Sequence, residues 1–131
     1  MEKSRLCTNF LKKFEPFNFT KIQEERIFLV GSISIAKEYF YELESILQIK
    51  YHKLVSICSV DGLLHKSLFS DDEWDELQDI ALRKLKFHDA ILVLDVNDYI
   101  GEQSREEINY VQTVLKKPIY YLSKLRKKEE T

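Results

Sequence analysis

Residues 89–110, DAILVLDVNDYIGEQSREEINY, carry the pattern that decides the fold. The apolar run at 90–94 stops at Asp95, and Gly101 then precedes a polar segment in which apolar residues recur at helical spacing. A continuous apolar run of this length is typical of a strand that is buried on both faces, as in a parallel sheet. The stretch therefore predicts a strand, a turn and a helix, which together form half of a βαβ unit.

The same order recurs along the rest of the chain. Short segments rich in β-branched and aromatic residues predict strands at 26–30, 53–59, 90–96 and 118–122. Apolar residues spaced by three and four predict helices at 35–49, 71–86 and 105–116. Alternating strands and helices favour right-handed crossovers on a parallel sheet. We therefore predict an α/β three-layer sandwich with a parallel sheet of four to five strands and helices on both faces.

Composition limits the classes of function. With 131 residues, of which 44% are hydrophobic, the chain suits one domain, and a net charge of -2 gives no indication of a nucleic acid polymer or a membrane surface as partner. The first residues lack the apolar core of a signal peptide, so we expect a cytoplasmic protein. The cysteines and histidines have neither metal-site nor redox spacing, so no metal and no cofactor are expected.

The two ends of the chain, residues 1–25 and 124–131, lie outside the alternating strand and helix pattern of residues 26–123. Within residues 1–25, Leu6, Phe10, Leu11 and Phe14 predict a short amphipathic helix that ends before Pro16. This segment is expected to pack either on the domain's own sheet or on a partner subunit. Residues 26–123 form the predicted domain, and residues 124–131 are interpreted as a charged, solvated tail.

Glycines mark the expected ligand-binding edge of the sheet. Gly31, Gly62 and Gly101 each follow a predicted strand, and ligands of open parallel sheets bind where the carboxyl ends of the strands meet. The alternative is that tight turns between strand and helix simply need glycine. Both interpretations stay open at Gly62, whereas binding is favoured at the other two.

The turn after the first strand is a candidate binding loop. Ser32, Ser34 and Lys37, with the free N–H groups of the helix start, are candidates to hold a phosphate or another polar group. Ser34 has the alternative role of helix N-cap. Neither GxGxxG nor GxxxxGK[ST] occurs, which disfavours a dinucleotide site of the usual Rossmann type and excludes a P-loop.

Glu107 has a catalytic and a structural interpretation. Ser104 and Glu107 fit the S-x-x-E capping box, as do Ser70 and Glu73. The helical phase nevertheless aligns Glu107 with Val111 and Val114 on the inward face of its helix. The short loop from the third strand should bring this glutamate to the edge of the sheet.

Asp95 ends the adjacent strand and would place a second carboxylate near the same edge. Two carboxylates beside a loop that accepts a phosphate suit cleavage of a glycosidic bond, because one attacks or stabilises the sugar carbon while the other handles protons. The spacing alone makes Glu107 and Asp95 a candidate catalytic pair, and helix capping stays open as the alternative role of Glu107.

Three segments, RIFLVGSI at 26–33, the 89–110 stretch and KKPIYYL at 116–122, together resemble the nucleoside 2-deoxyribosyltransferase superfamily, which includes nucleotide N-glycoside hydrolases. The resemblance is closest to small bacterial and phage members. It implies a flavodoxin-like (Rossmann-like) sheet and a homodimer or larger homo-oligomer. It also implies a nucleoside or nucleotide as the small-molecule partner.

Residue by residue, the resemblance places the family's glutamate nucleophile on Glu107, its nearby hydroxyl residue on Ser104 and its strand-end aspartate on Asp95. It implies attack on the anomeric carbon, release of the base, and transfer of the sugar to another base or to water. A tyrosine that orients the glutamate in relatives is replaced by Phe28. A catalytically weak or inactive nucleotide-binding sensor or interaction module is therefore the alternative. The expected substrate contacts are Phe28, Gly31, Ser32, Ser34, Lys37, Gly101 and Ser104.

Overall fold

The computed structural model describes residues 3–58 and 60–127, apart from the side chain of Asp61. The strands are β1 (Arg26–Gly31), β2 (Leu54–Ser56), β3 (Ala90–Leu94) and β4 (Ile119–Tyr121). The helices are α1 (Thr8–Lys12), α2 (Ile33–Ile49), α3 (Val60–Leu64), α4 (Asp71–Phe87) and α5 (Glu102–Tyr110). Strands and helices alternate from β1 to β4 as the hydrophobic pattern predicts, except that the connection from β2 to β3 contains the short helix α3, which was not predicted, before α4.

The described strands form one parallel sheet in the order β2-β1-β3-β4. The chain first moves outward from β1 to β2 and then crosses back to β3 on the other side of β1. The strand order thus reverses between β1 and β3, as it does in flavodoxin-like folds, where ligands bind at this switch point. The predicted α/β class and parallel sheet are confirmed.

The strands separate two apolar clusters, one on each face of the sheet. On the first face, Ile27 and Leu29 pack with residues of α2 such as Phe40 and Leu43. On the second face, alternate residues of β1 and β3 pack with Leu85 of α4 and with residues of α5. This division follows from the two-residue period of a strand, since successive side chains point to opposite faces.

The N-terminal segment packs on its own domain. Phe10, Phe14 and Phe19 are buried in the same cluster as α2, and the ring of Phe14 lies 5.7 Å from that of Tyr39. These aromatic residues are therefore packed inside one chain and do not form a free surface for a partner subunit. Of the two expected arrangements, packing on the domain's own core is the one observed.

The C-terminal segment joins the same core. Leu125 is buried, its carbonyl oxygen accepts a 2.7 Å hydrogen bond from the N–H of Asn18, and Phe17 forms an antiparallel bridge with Arg126. Residues 124–126 thus belong to the packed domain rather than to a solvated tail. Residues 128–131 of the predicted tail lie outside the described residues.

Several predicted boundaries shift. The second strand was predicted to continue to residue 59, but β2 ends at Ser56, and Gly62 lies inside α3 rather than in a strand-to-helix turn. α5 begins at Glu102, three residues earlier than predicted, and ends in a π-helical turn, Val111–Leu115. No helix within the described ranges combines the length and apolar character needed to cross a membrane.

Candidate functional site

A cavity of about 270 Å³ opens at the carboxyl end of β1. Its walls come from the β1–α2 turn, the segment around α3, one face of α4 and the start of α5. Its volume lies near the lower end of the roughly 300–1,000 Å³ typical of small-molecule pockets. Its place beside the switch point and its size both favour a small ligand rather than a polymer.

The β1–α2 turn contributes Gly31, Ser32 and Ser34 to the cavity wall. Ser32 occupies the N-cap position that the sequence assigned to Ser34, and the two hydroxyl oxygens lie 2.9 Å apart. A Cβ on Gly31 would lie 3.1 Å from the carbonyl oxygen of Leu94. A side chain at position 31 would therefore crowd the neighbouring backbone of β3, whereas the serines present polar groups to the cavity.

α5 contributes Gly101, Ser104 and Glu107. The helix begins at Glu102, with Gly101 as an extended N-cap that makes no side-chain cap, so Ser104 is the third helical residue. The predicted capping box of Ser104 and Glu107 is wrong, because a residue inside the first turn cannot serve as the N-cap. The structural interpretation of Glu107 as a cap fails with it.

Helical phase predicts the direction of Glu107 correctly. Ser104 and Ile108 are buried and Glu107 is partly buried, whereas Glu106 is exposed. Val111, one turn further on, is fully buried, but Val114, predicted on the same inward face, is exposed because the π-helical turn at Val111–Leu115 changes the helical phase. Glu107 therefore faces the cavity while Glu106 faces solvent.

Burial changes the acid–base properties of the cavity. The pKa of Glu107 is raised to about 7, mainly because burial disfavours the charged form and secondly because of the nearby charge of Glu106. Burial, and then the charge of Glu107, raise the pKa of the Cys58 thiol to about 11. The charged side chains among the described lining residues are Glu102 and Glu107, both acidic. The raised pKa therefore brings the titration of Glu107 close to neutral pH.

Asp95 does not share this cavity. Its carboxylate accepts hydrogen bonds from the N–H and the hydroxyl of Ser123, the former at 2.9 Å, and it lines a separate cavity that also includes Arg126. The backbone has left the extended conformation at Asp95 (φ -84°, ψ 59°), so the alternation of β3 no longer sets the direction of its side chain. The predicted pairing of Asp95 with Glu107 in one cleft is therefore not observed.

Two other predicted contacts also lie outside the cavity lining. Phe28 is fully buried in the cluster on the second face, with its ring 5.7 Å from that of His88. Lys37 is exposed on α2. The structure therefore brings together six of the predicted residues, namely Gly31, Ser32, Ser34, Gly101, Ser104 and Glu107.

Sequence reasoning missed the α4 wall of the cavity. Trp74, Leu77 and Ala81 are among the apolar residues whose spacing predicts the helix at 71–86, and in the structure they line the cavity together with Gln78. Among the side chains of α4, Leu85 is the buried one. The sequence shows that these apolar residues share one face of the helix. It does not show whether that face packs in the core or lines a pocket, because both environments give the same apolar spacing.

Comparisons with protein-family models, with curated proteins and with solved structures find no match to this chain. Across residues 3–58 and 60–127, no three His, Cys, Asp or Glu side chains gather closely enough to hold a metal ion. The feature on which a function can be proposed is therefore the cavity with the carboxylates of Glu102 and Glu107.

Proposed function

We propose that this protein cleaves or transfers at the N-glycosidic bond of a nucleoside, with Glu107 as the nucleophile. The observation that carries the proposal is the position of Glu107, a partly buried carboxylate with a raised pKa in a ligand-sized cavity at the switch point of the sheet. Ser104 lies one helical turn before it in the same wall. The resemblance of residues 26–122 to deoxyribosyltransferases supports the same reaction.

The reaction proceeds in two displacements. A carboxylate oxygen of Glu107 bonds to the anomeric carbon as the bond from that carbon to the base nitrogen breaks, and the electron pair leaves with the nitrogen, which takes a proton from water. Water or a second base then attacks the same carbon and releases the carboxylate. Positive charge develops on the sugar in both steps, and the acidic lining, to which Glu102 and Glu107 contribute, favours it.

The charge of the cavity favours a nucleoside over its monophosphate. The charged residues among the described lining are Glu102 and Glu107, and Lys37, the predicted phosphate partner, lies elsewhere. A phosphate dianion would meet these carboxylates without a cationic partner in the wall. The N–H groups at the starts of α2 and α5 suit the hydroxyl groups of a sugar.

Glu107→Gln tests the nucleophile. The amide keeps the shape of the side chain but lacks the attacking anionic oxygen, so release of free base from a panel of ribo- and deoxyribonucleosides should fall by at least ~100-fold. In the wild type, base release should rise from pH 6 to pH 8, because the nucleophile must be ionised and its pKa is about 7.

The exposed neighbour provides the control, since Glu106→Gln should retain most of the base release. Chromatography of the reaction mixtures measures free base for all three proteins. Undiminished release by Glu107→Gln, or release that falls between pH 6 and pH 8, would contradict the assignment.

The second candidate is a nucleoside- or nucleotide-binding sensor without catalytic turnover. The position of Asp95 outside the cavity favours it, because the second predicted catalytic carboxylate is then missing from the site. Saturable binding of nucleosides with no base release by the wild type at pH 8 would support this function over the first.

A further inference from the structure

One face of α4 has no packing role that explains its composition. Trp74, Leu77, Gln78 and Ala81 follow the spacing i, i+3, i+4 and i+7, so they share one side of the helix, and that side lines the cavity. Trp74, Leu77 and Ala81 are only partly buried, and Gln78 is exposed at the mouth. An aromatic and an amide are thus presented to the space inside.

The cavity therefore has two chemically different sides. The α4 side is aromatic and apolar, whereas the side formed by the starts of α2 and α5 carries the hydroxyl groups of Ser32 and Ser104 and the carboxylate of Glu107. A ligand that matches both sides combines a planar, weakly polar half with a hydroxylated half. A nucleoside has this construction, since its base is planar and its sugar carries hydroxyl groups.

Trp74 and Gln78 suit the two parts of base recognition. An indole offers a flat surface for stacking a heterocycle, and a primary amide both donates to and accepts from the edge of a base. The ammonium group of Lys66 lies 4.6 Å from the centre of the Trp74 ring, an attraction that restrains the indole. Ala81, with a single methyl group, leaves room one turn beyond Leu77.

We infer that α4 is the base-recognising wall of the site: Trp74 stacks on the base of the bound nucleoside and Gln78 hydrogen-bonds to its edge. This inference rests on the proposed function for the identity of the ligand. Trp74 and Gln78 are specificity residues, whereas the bond to the sugar is broken at Glu107.

The chain offers a direct readout, because Trp74 is its single tryptophan. In Glu107→Gln, where turnover does not deplete the ligand, adenosine, inosine, thymidine and free adenine should each quench the indole fluorescence in a saturable manner. 2-Deoxyribose, which has no base, should not. Absence of quenching by all four base-containing compounds would overturn the inference.

Substitutions in the Glu107→Gln background separate stacking from general packing. Adding Trp74→Ala should weaken binding of adenosine, measured by calorimetry, by about tenfold or more, whereas Trp74→Phe should keep it within about threefold. Gln78→Leu should change the ratio of adenosine to inosine affinity, since these bases differ in the groups at their edge. The exposed Glu76→Gln, one residue from the lining, is the matched control and should bind like its parent.

The outcomes distinguish this inference from the proposed reaction. Quenching and a Trp74-dependent affinity in a protein that releases no base would sustain the α4 wall and reject the glycosidase. Base release that is lost in Glu107→Gln, together with Trp74→Ala binding adenosine as tightly as its parent, would sustain the reaction and overturn the α4 wall.

Discussion

Glu107 is a carboxylate held where its charge is unfavourable. Burial is the main cause of its raised pKa, and no cation among the described lining residues compensates for it. The neighbouring Cys58 thiol, whose pKa is about 11, stays protonated at neutral pH and adds no charge of its own. The ionised carboxylate destabilises the fold because it lacks a compensating cation. A ligand that develops positive charge would supply that compensation and would therefore be stabilised in the cavity.

The same shift predicts a dependence of stability on pH. The pKa of Glu107 rises from 4.5 to about 7 on folding, so between these values the folded state binds more protons and its stability falls as the pH rises. The contribution is fully present below about pH 4.5 and lost above about pH 7. The glutamine of Glu107→Gln does not titrate, so this variant should not lose that stability. Between pH 4.5 and pH 8, its free energy of unfolding should therefore rise relative to that of the wild type by on the order of 2–3 kcal/mol.

Urea unfolding at pH 4.5, 6 and 8 measures the effect. Glu106→Gln, which removes only the secondary influence on Glu107, should keep the pH dependence of the wild type with a slightly lower midpoint. Equal pH dependence in Glu107→Gln and the wild type would mean that the carboxyl group titrates normally in the folded protein.

The direction of a side chain could be predicted from the sequence for Glu107 but not for Asp95. Glu107 lies on a regular helix, so its phase relative to Val111 fixed its direction from the sequence. Asp95 lies at the point where β3 ends, and Asn97 and Asp98 follow with positive φ values of 57° and 58°. Periodicity does not extend across such a turn, so the bond from Asp95 to Ser123 could not be anticipated.

At the scale of elements, two identical sequence patterns behave differently. Ser70 and Glu73 form a reciprocal capping box at the start of α4, with N···O distances of 2.9 and 3.1 Å, whereas Ser104 and Glu107 do not. The difference lies in the preceding chain, because Gly101 is already in the N-cap conformation and leaves Ser104 inside the first turn of α5. The S-x-x-E pattern predicts a helix start only when the serine itself, and not an earlier residue, takes the N-cap position.

This difference can be measured. Ser70→Ala should lower the free energy of unfolding by about 1 kcal/mol, because the N–H of Glu73 loses its acceptor at the helix start. Glu73→Gln should cost less, since the amide oxygen can still accept from the N–H of Ser70. Chemical denaturation of the three proteins at one pH gives the comparison. A Ser70→Ala variant as stable as the wild type would show that the box contributes nothing.

At the scale of the molecule, the parallel sheet followed from the alternation of strands and helices, but the cover of the sheet did not. Between β4 and residue 127 the chain forms a short 3-10 helix, Leu122–Leu125, and the first face is completed by the N-terminal aromatic residues together with Leu122 and Leu125. Glu24 accepts a 2.7 Å hydrogen bond from the hydroxyl of Tyr120, which joins the N-terminal segment to β4. The amphipathic pattern at residues 6–14 predicts that one face of this segment is buried, but it does not identify the surface on which that face packs. Packing on the domain and packing on a partner subunit could therefore not be distinguished from the sequence.

Phe14→Ala distinguishes a core residue from an interface residue. Because Phe14 is buried among the rings of Phe10, Phe17, Phe19 and Tyr39, its truncation should lower the free energy of unfolding by about 3–5 kcal/mol. Phe14→Leu should lose less, and truncation of the exposed Glu15 to alanine should change little.

Light scattering at micromolar concentration supplies the second readout for these variants. The homo-oligomer implied by the family resemblance stays a prediction, and a mass of 15.6 kDa for the wild type would refute it. Whatever the wild-type mass, folded Phe14→Leu should share it, because the residue packs inside one chain. A variant with wild-type stability but a smaller mass would instead assign the N-terminal segment to a contact between subunits, since loss of an interface anchor separates subunits without opening the core.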